Sequence, residues 1–128
     1  MNIFLSNLSG KSLYEQIYEQ IKQQILEGTL SAGAALPTIR GLAKDLKISV
    51  ITTARAYSDL ERDGFIYSVV GKGSFVSERN QEFVSRQNRN EMRENIQKAV
   101  QIARRMNMTR QDFREFVEEV AEGEQWKD

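Results

Sequence analysis

The stretch from Leu36 to Val76 leaves this chain fewer choices than any other part of its sequence. Pro37, the only proline, disfavours helical backbone at Leu36 and so sets a boundary there. Thr38 can cap a short helix behind it that carries Ile39, Leu42, Ala43 and Leu46 on its inner side. Ser49 can cap a second helix, in which Ala56, Tyr57 and Leu60 sit at i, i+1 and i+4 and which continues to Gly64. Local propensity argues against that start. Ile48, Val50, Ile51, Thr52 and Thr53 are β-branched and alone would read as a strand. Mid-helix threonines also compete for backbone partners, a local penalty more expected at a working surface than in a scaffold. Phe65-Ile66-Tyr67-Ser68-Val69 and Ser74-Phe75-Val76 are strand formers around Gly71-Lys72-Gly73, so the segment closes with a β-hairpin. Glycines at its tip permit positive φ and close approach to another backbone.

The flanks read as helices. Before the segment, Ser12 caps a stripe of Leu13, Ile17, Ile21 and Ile25, with Tyr18 alongside, and Gly28 ends it as a left-handed cap would. Leu30 to Leu36 reads as a loop. From Ser77 to Asn90 the chain is polar. Met92, Ile96, Ala99, Ala103 and Met106 then recur with 4-3-4-3 spacing, the mark of a helix with one narrow apolar seam, which Val100 and Ile102 widen. Thr109 with Asp112 resembles a capping box, and Phe113, Phe116, Val117 and Val120 form the stripe of a last helix before Gly123. Arg110 and Arg114 beside Glu118 and Glu122 are expected to form solvated i,i+4 pairs. Two helices make a poor core alone, so they pack on the preceding module or on a second copy of themselves.

Composition removes several function classes. With no cysteine and no histidine, disulfides, thiolate metal sites, the commonest general base and the commonest zinc ligand are absent. No pair of carboxylates is isolated in apolar surroundings, so an enzyme is not expected, nor a metal or cofactor. No apolar run approaches the roughly 18 residues of a membrane helix, and the first residues lack a secretory signal, which leaves the cytoplasm as the expected location. The formal net charge is zero, yet Arg40, Lys44, Lys47 and Arg55 face only Asp45 between Thr38 and Ser58. A neutral protein with one basic face should bind non-specific DNA weakly and rely more on geometry.

Two short helices, a tight turn and a glycine-tipped hairpin make a helix-turn-helix with a wing, a shape that fits the grooves of duplex DNA. The fold class expected is mainly α with a small β-hairpin: a winged helix-turn-helix over residues 1–78 and a helical region over 79–128. The order and spacing of these motifs also resemble the GntR family of transcription regulators, and within it the short YtrA-type members. The likeness is strong from Leu13 to Val76, including Tyr14-Glu15-Gln16-Ile17, where Ser12 replaces the family's usual proline. After the wing it rests on length and pattern.

The resemblance implies a regulator that binds a palindromic DNA operator as a homodimer, of the kind that represses genes encoded beside ABC transporters. Thr38 takes the family's serine position and Arg40 its arginine near the phosphates; the plain alternative for Arg40 is an ion pair with Asp45. Ser49, Val50, Ile51, Thr52 and Arg55 would face the major groove or its flanking phosphates. Many members have arginine where this chain has Val50, so recognition shifts toward methyl and threonine contacts and Arg55, and a site richer in A·T pairs is expected. Ala54 also departs from a position often basic in short members. Gly71, Lys72 and Gly73 would bring the wing tip to the backbone or minor groove, although Lys72 could be an ordinary solubilising turn charge. The family dimerises after the wing, which implies an interface of Met92, Ile96, Ala99, Val100, Ala103, Met106, Phe113, Phe116 and Val117. No effector pocket can be read from the sequence. The rival readings are a winged-helix module that binds protein without specific DNA binding and, more remotely, a small carboxylate enzyme.

Overall fold

A computed structural model describes residues 1–78 and 81–127, with the side chains of Gln81 and Glu82 left aside. The elements run α1 (Leu13–Glu27), α2 (Ile39–Leu46), α3 (Val50–Arg62), β1 (Ile66–Val69), β2 (Gly73–Val76), α4 (Gln81–Arg105) and α5 (Arg110–Glu122). They divide into two compact units, Met1–Ser85 and Arg86–Asp128. The domain boundary expected at 78/79 adjoins Arg79 and Asn80, which lie outside the described residues.

Each helix of the first unit starts where its cap dictates. The hydroxyls of Ser12, Thr38 and Ser49 accept the amides of Glu15, Gly41 and Thr52, and Gly28 ends α1 at φ 84°. Helix α3 forms in spite of its β-branched opening because its later turns bury Ala56, Tyr57 and Leu60 against Ile17 and Ile21 of α1, Leu42 of α2, and Phe65, Ile66 and Val76 of the hairpin. Thr53 is buried with them, and its hydroxyl donates back to the Ser49 carbonyl at 3.2 Å, so no buried polar atom is stranded. The helix ends at Arg62 with Asp63 as cap, slightly before the Gly64 expected. The Tyr18 hydroxyl donates to the Asp63 carboxylate and ties α1 to that end. Arg62 first and Tyr18 second hold the Asp63 carboxyl below its ordinary pKa.

β1 and β2 pair antiparallel from Ile66↔Val76 to Val69↔Gly73. The loop before α2 lies along the other edge of β2. Ala35 bridges to Phe75, the Leu36 amide donates to the Ser74 carbonyl at 2.9 Å, and the Val76 amide donates to the Ala34 carbonyl at 2.8 Å. That contact caps an otherwise open strand edge and fixes the hairpin to the start of α2.

The residues before α1 are held by a glutamine ladder. Gln16 and Gln20 each exchange two hydrogen bonds with one backbone residue, Ser6 and Phe4 respectively, at 2.7–2.9 Å. Gln24 donates to the Asn2 carbonyl at 2.8 Å. The spacing explains the match. Four residues of helix rise about 6 Å and two residues of extended chain about 6.6 Å, so side chains at i, i+4 and i+8 meet every second backbone residue of an antiparallel strap. Ile3 and Leu5, between the rungs, pack against the core.

Helix α4 begins well before the apolar seam, at Gln81. The stretch that reads as polar is rich in good helix formers, and Phe83 and Val84 pack against the first unit's core, with Phe83 edge-on to Phe65 at 5.6 Å. In the second unit, Thr109 and Asp112 form the expected capping box, and Asn107 makes the turn at φ 57°. No ion pair joins Arg110 or Arg114 to Glu118 or Glu122 among the described residues, so the expected surface pairs do not form. Exposed pairs gain little over hydration, which is why spacing alone does not enforce them.

The ladder can be tested alone. Gln20→Ala should speed amide exchange at Phe4 and destabilise the protein by about 1 kcal/mol. Gln23→Ala should do neither, because the Gln23 amide meets only Glu27 of its own helix.

Candidate nucleic-acid interface

Helix α3 is divided along its length. Its later turns are core, while its first turn stands in solvent: Ser49 and Val50 are exposed, Ile51 is 82% exposed and Thr52 is half-buried. The first amides of the helix have no acceptors within it, and the aligned peptide dipoles place partial positive charge there. The Ser49 hydroxyl donates to Thr52 Oγ1 at 2.8 Å while it accepts the Thr52 amide at 3.0 Å. An exposed apolar branch at Ile51 beside two hydroxyls can meet thymine methyls and base-edge groups, and the helix end can meet phosphate.

The same unit carries unpaired cations. Arg40, Lys44, Lys47, Arg55 and Lys72 are all exposed, and no ion pair among the described residues engages any of them. Arg40 therefore does not pair with Asp45. Lys47, in the turn between α2 and α3, adopts left-handed backbone at φ 56°. Only Asn and Asp among non-glycine residues take that conformation readily, so a lysine there carries a small conformational cost.

Two backbone ties hold the three candidate pieces in one unit. The Tyr57 hydroxyl donates to the Pro37 carbonyl at 2.7 Å and links α3 to the residue before Thr38. Burial pushes the Tyr57 phenol up to about 12, so that donor stays protonated throughout the neutral range. The second tie is the pairing of the Ala35 loop with β2, which carries the wing. Gly71 and Gly73, at φ 77° and 108°, let the chain turn at the wing tip, and Val70 and Lys72 project there exposed. The structure thus brings Thr38, Arg40, Ser49, Val50, Ile51, Thr52, Arg55, Gly71, Lys72 and Gly73 onto one unit.

Two residues of this region are given no site role by the sequence reading. Val70 stands fully exposed beside Lys72. Tyr14 of α1 places its ring 3.8 Å from the Arg55 guanidinium carbon. The hydropathy of Val70 offered no signal beyond an ordinary hairpin, and nothing local in sequence connects Tyr14 with Arg55.

The second unit presents an apolar face. Ala103, 7% exposed, is its one buried residue among those described, and α5 buries none. Met92, Ile96, Ala99, Val100, Met106, Phe116 and Val117 are exposed, and Phe113 is half-buried. Between α4, α5 and Trp126 lies a groove of about 510 Å³ with an almost wholly apolar lining that includes Ala99, Met106, Phe113 and Phe116. No group of metal-ligating side chains occurs among the described residues, and no helix there is long and apolar enough to cross a membrane.

Comparison with known proteins places this arrangement. The family described as bacterial regulatory proteins of the gntR family matches residues 13–76. The chain is similar to the HTH-type transcriptional repressor YtrA of Bacillus subtilis, 36% identical over 70 residues, which cover 55% of this chain and about half (54%) of that relative. It is similar over most of both lengths to the uncharacterized HTH-type transcriptional regulator YhcF of Bacillus subtilis, 30% identical over 115 residues, 90% of this chain and 94% of that one. A transcriptional regulator from Oenococcus oeni superposes with a TM-score of 0.80 at 26% identity, covering 94% of this chain and 97% of that structure. The chain belongs to the GntR family: it is a DNA-binding transcriptional regulator with a winged helix-turn-helix followed by two helices.

Arg40 offers the simplest test of the interface. Arg40→Ala should weaken binding to all DNA sequences about equally, leave thermal stability unchanged, and reduce the slope of log affinity against log salt by about one. Binding titrations at several salt concentrations read both quantities.

Proposed function

We propose that this GntR-family chain is a cytoplasmic repressor that binds a palindromic operator as a homodimer. The observation that carries the DNA half of this reading is the division of α3, whose core-forming turns fix a solvent-exposed first turn in a unit with exposed, unpaired cations. Ser49, Val50, Ile51, Thr52 and Arg55 enter the major groove. Thr38 and Arg40 take the flanking phosphates, and Gly71, Lys72 and Gly73 carry the wing to the backbone or minor groove. With valine at position 50, methyl and hydroxyl contacts replace one arginine contact, and the half-site is richer in A·T pairs. Repression follows from occupancy: a dimer seated on promoter DNA excludes other proteins from it. The relative named as a repressor supports that direction.

The dimer half rests on the second unit. A pair of helices with one buried residue among those described and a lined apolar groove has more to gain from a second copy than from solvent. In this reading, Met92, Ile96, Ala99, Val100, Ala103, Met106, Phe113, Phe116 and Val117 meet their counterparts across a two-fold axis. The region from residue 79 on is then the dimerisation region, and residues 1–78 the DNA-binding domain.

Selection of bound sequences from random DNA tests the whole reading. The expected product is an inverted repeat with half-site centres about 10 base pairs apart or a multiple of that. Unrepeated, asymmetric sites would overturn the dimer, and no enrichment at all would favour a protein-binding module instead.

The interface has its own test. Ile96 is 52% exposed, so glutamate there is hydrated in a monomer but becomes an unpaired buried charge in the dimer, at a cost of several kcal/mol. Ile96→Glu should sediment as a monomer, with circular dichroism showing the winged module still folded and any loss of helical signal confined to the size of the second unit. Its operator affinity should fall about 100-fold or more, as the linked second half-site is lost.

A further inference from the structure

Tyr14 lies in the first turn of α1, half-buried and packed against the core cluster, so its ring is fixed from the protein side. The Arg55 guanidinium carbon stands 3.8 Å from the ring centroid, well within the roughly 6 Å over which a cation is drawn to an aromatic face. Among the described residues, no competing partner engages Arg55. Asp59, one turn further along α3 and the natural i,i+4 acid for Arg55, is held by Arg62 at 3.1 Å. No ion pair or hydrogen bond among the described residues engages the Arg55 side chain, which is exposed. Ile51, one turn nearer the exposed end of the helix, shares its stripe.

A guanidinium carries its five N–H donors in its own plane. A ring against one face therefore leaves the donors free while it restricts the many rotamers an exposed arginine would otherwise sample. A fork held in this way loses less freedom on binding than a mobile one. Its paired donors match the O6 and N7 acceptors that guanine presents in the major groove.

We propose that Tyr14 is a positioning residue for base recognition, stacking against Arg55 so that the guanidinium is pre-aligned to read one guanine in each half-site. This rests on the placement of α3 in the major groove given under Proposed function. It adds a residue from outside the helix-turn-helix to the determinants of specificity. It also qualifies the expectation of an A·T-rich half-site with one fixed G·C pair.

The test measures the affinity of the full chain for its selected operator and for each single-base variant of it, with Tyr14→Phe, Tyr14→Leu and Arg55→Lys beside the wild type. Tyr14→Leu should lose about 2- to 10-fold of discrimination at one base pair per half-site, with its salt dependence unchanged. Arg55→Lys should relax the same pair, and Tyr14→Phe should behave as wild type. Thermal melting checks that the leucine variant is folded. If it is not, pentafluorophenylalanine at position 14 keeps the ring's shape, reverses the charge of its face, and carries the same expectation. An equal loss on every sequence, or unchanged discrimination, would overturn the proposal and leave Tyr14 as core packing. A wild type without sequence preference would instead overturn the operator reading, and this proposal with it.

Discussion

Helix α3 has to be two things within thirteen residues. Its later turns supply Ala56, Tyr57 and Leu60 to a core shared with α1, α2 and the hairpin, and that burial is what makes the segment helical at all. Its first turn contributes nothing to the core beyond Thr53. It inherits its helical form from the turns behind it, which leaves Ser49 to Thr52 free to be chosen for contact rather than for packing. The β-branched residues there cost a little helix propensity, and the Ser49 cap and the Thr53 back-bond offset part of that. Loss of Leu60 or Ile17 would thus disturb the interface without touching it, because the exposed turn has little tertiary support of its own beyond Thr53.

The same economy governs the charges. Near α1 and the end of α3, acids and bases find each other: Lys11 with Glu19, and Arg62 with Asp59 and Asp63. Near the first turn of α3 the cations remain unpaired. A chain of zero formal charge can present a local positive field only if its acids are engaged or placed elsewhere. The capture of Asp59 by Arg62 is a clear instance, since it removes the acid closest along the helix to Arg55. The resulting field is short-ranged at physiological salt, where screening acts over about 8 Å. Such a surface discriminates by fit more than by long-range attraction.

Local signals carried most of this fold. Ser12, Thr38, Ser49 and Thr109 each cap the helix that their positions announce, and the glycine-tipped hairpin follows from composition alone. Even the β-branched run from Ile48 to Thr53 was legible as helix once the downstream stripe was weighed. What stayed hidden depends on partners remote in the chain. Gln16, Gln20 and Gln24 look like neutral surface residues until a strap with no propensity of its own lies beside them. The start of α4 was hidden because Phe83 and Val84 are two isolated apolar residues whose partners come from the first unit's core. Arg55 could be singled out from its place on the helix, whereas the ring that holds it comes from the opposite end of the unit's sequence.

The two units solve the problem of stability differently. The first closes a core of its own, with aliphatic and aromatic residues from three helices and a hairpin. The second has well-formed local structure, a complete capping box and a clean turn at Asn107, yet almost nothing buried. Helices this poorly buried draw little from tertiary packing, and propensity alone leaves short helices marginal in water. Caps and local bonds specify where α4 and α5 begin and end but cannot supply the missing apolar contact. If a second copy supplies it, as proposed, then folding of this unit and assembly are one equilibrium, and protein concentration sets both. Operator occupancy would then depend on concentration more steeply than for a preformed dimer, because the half-sites are linked only in molecules whose second units have paired.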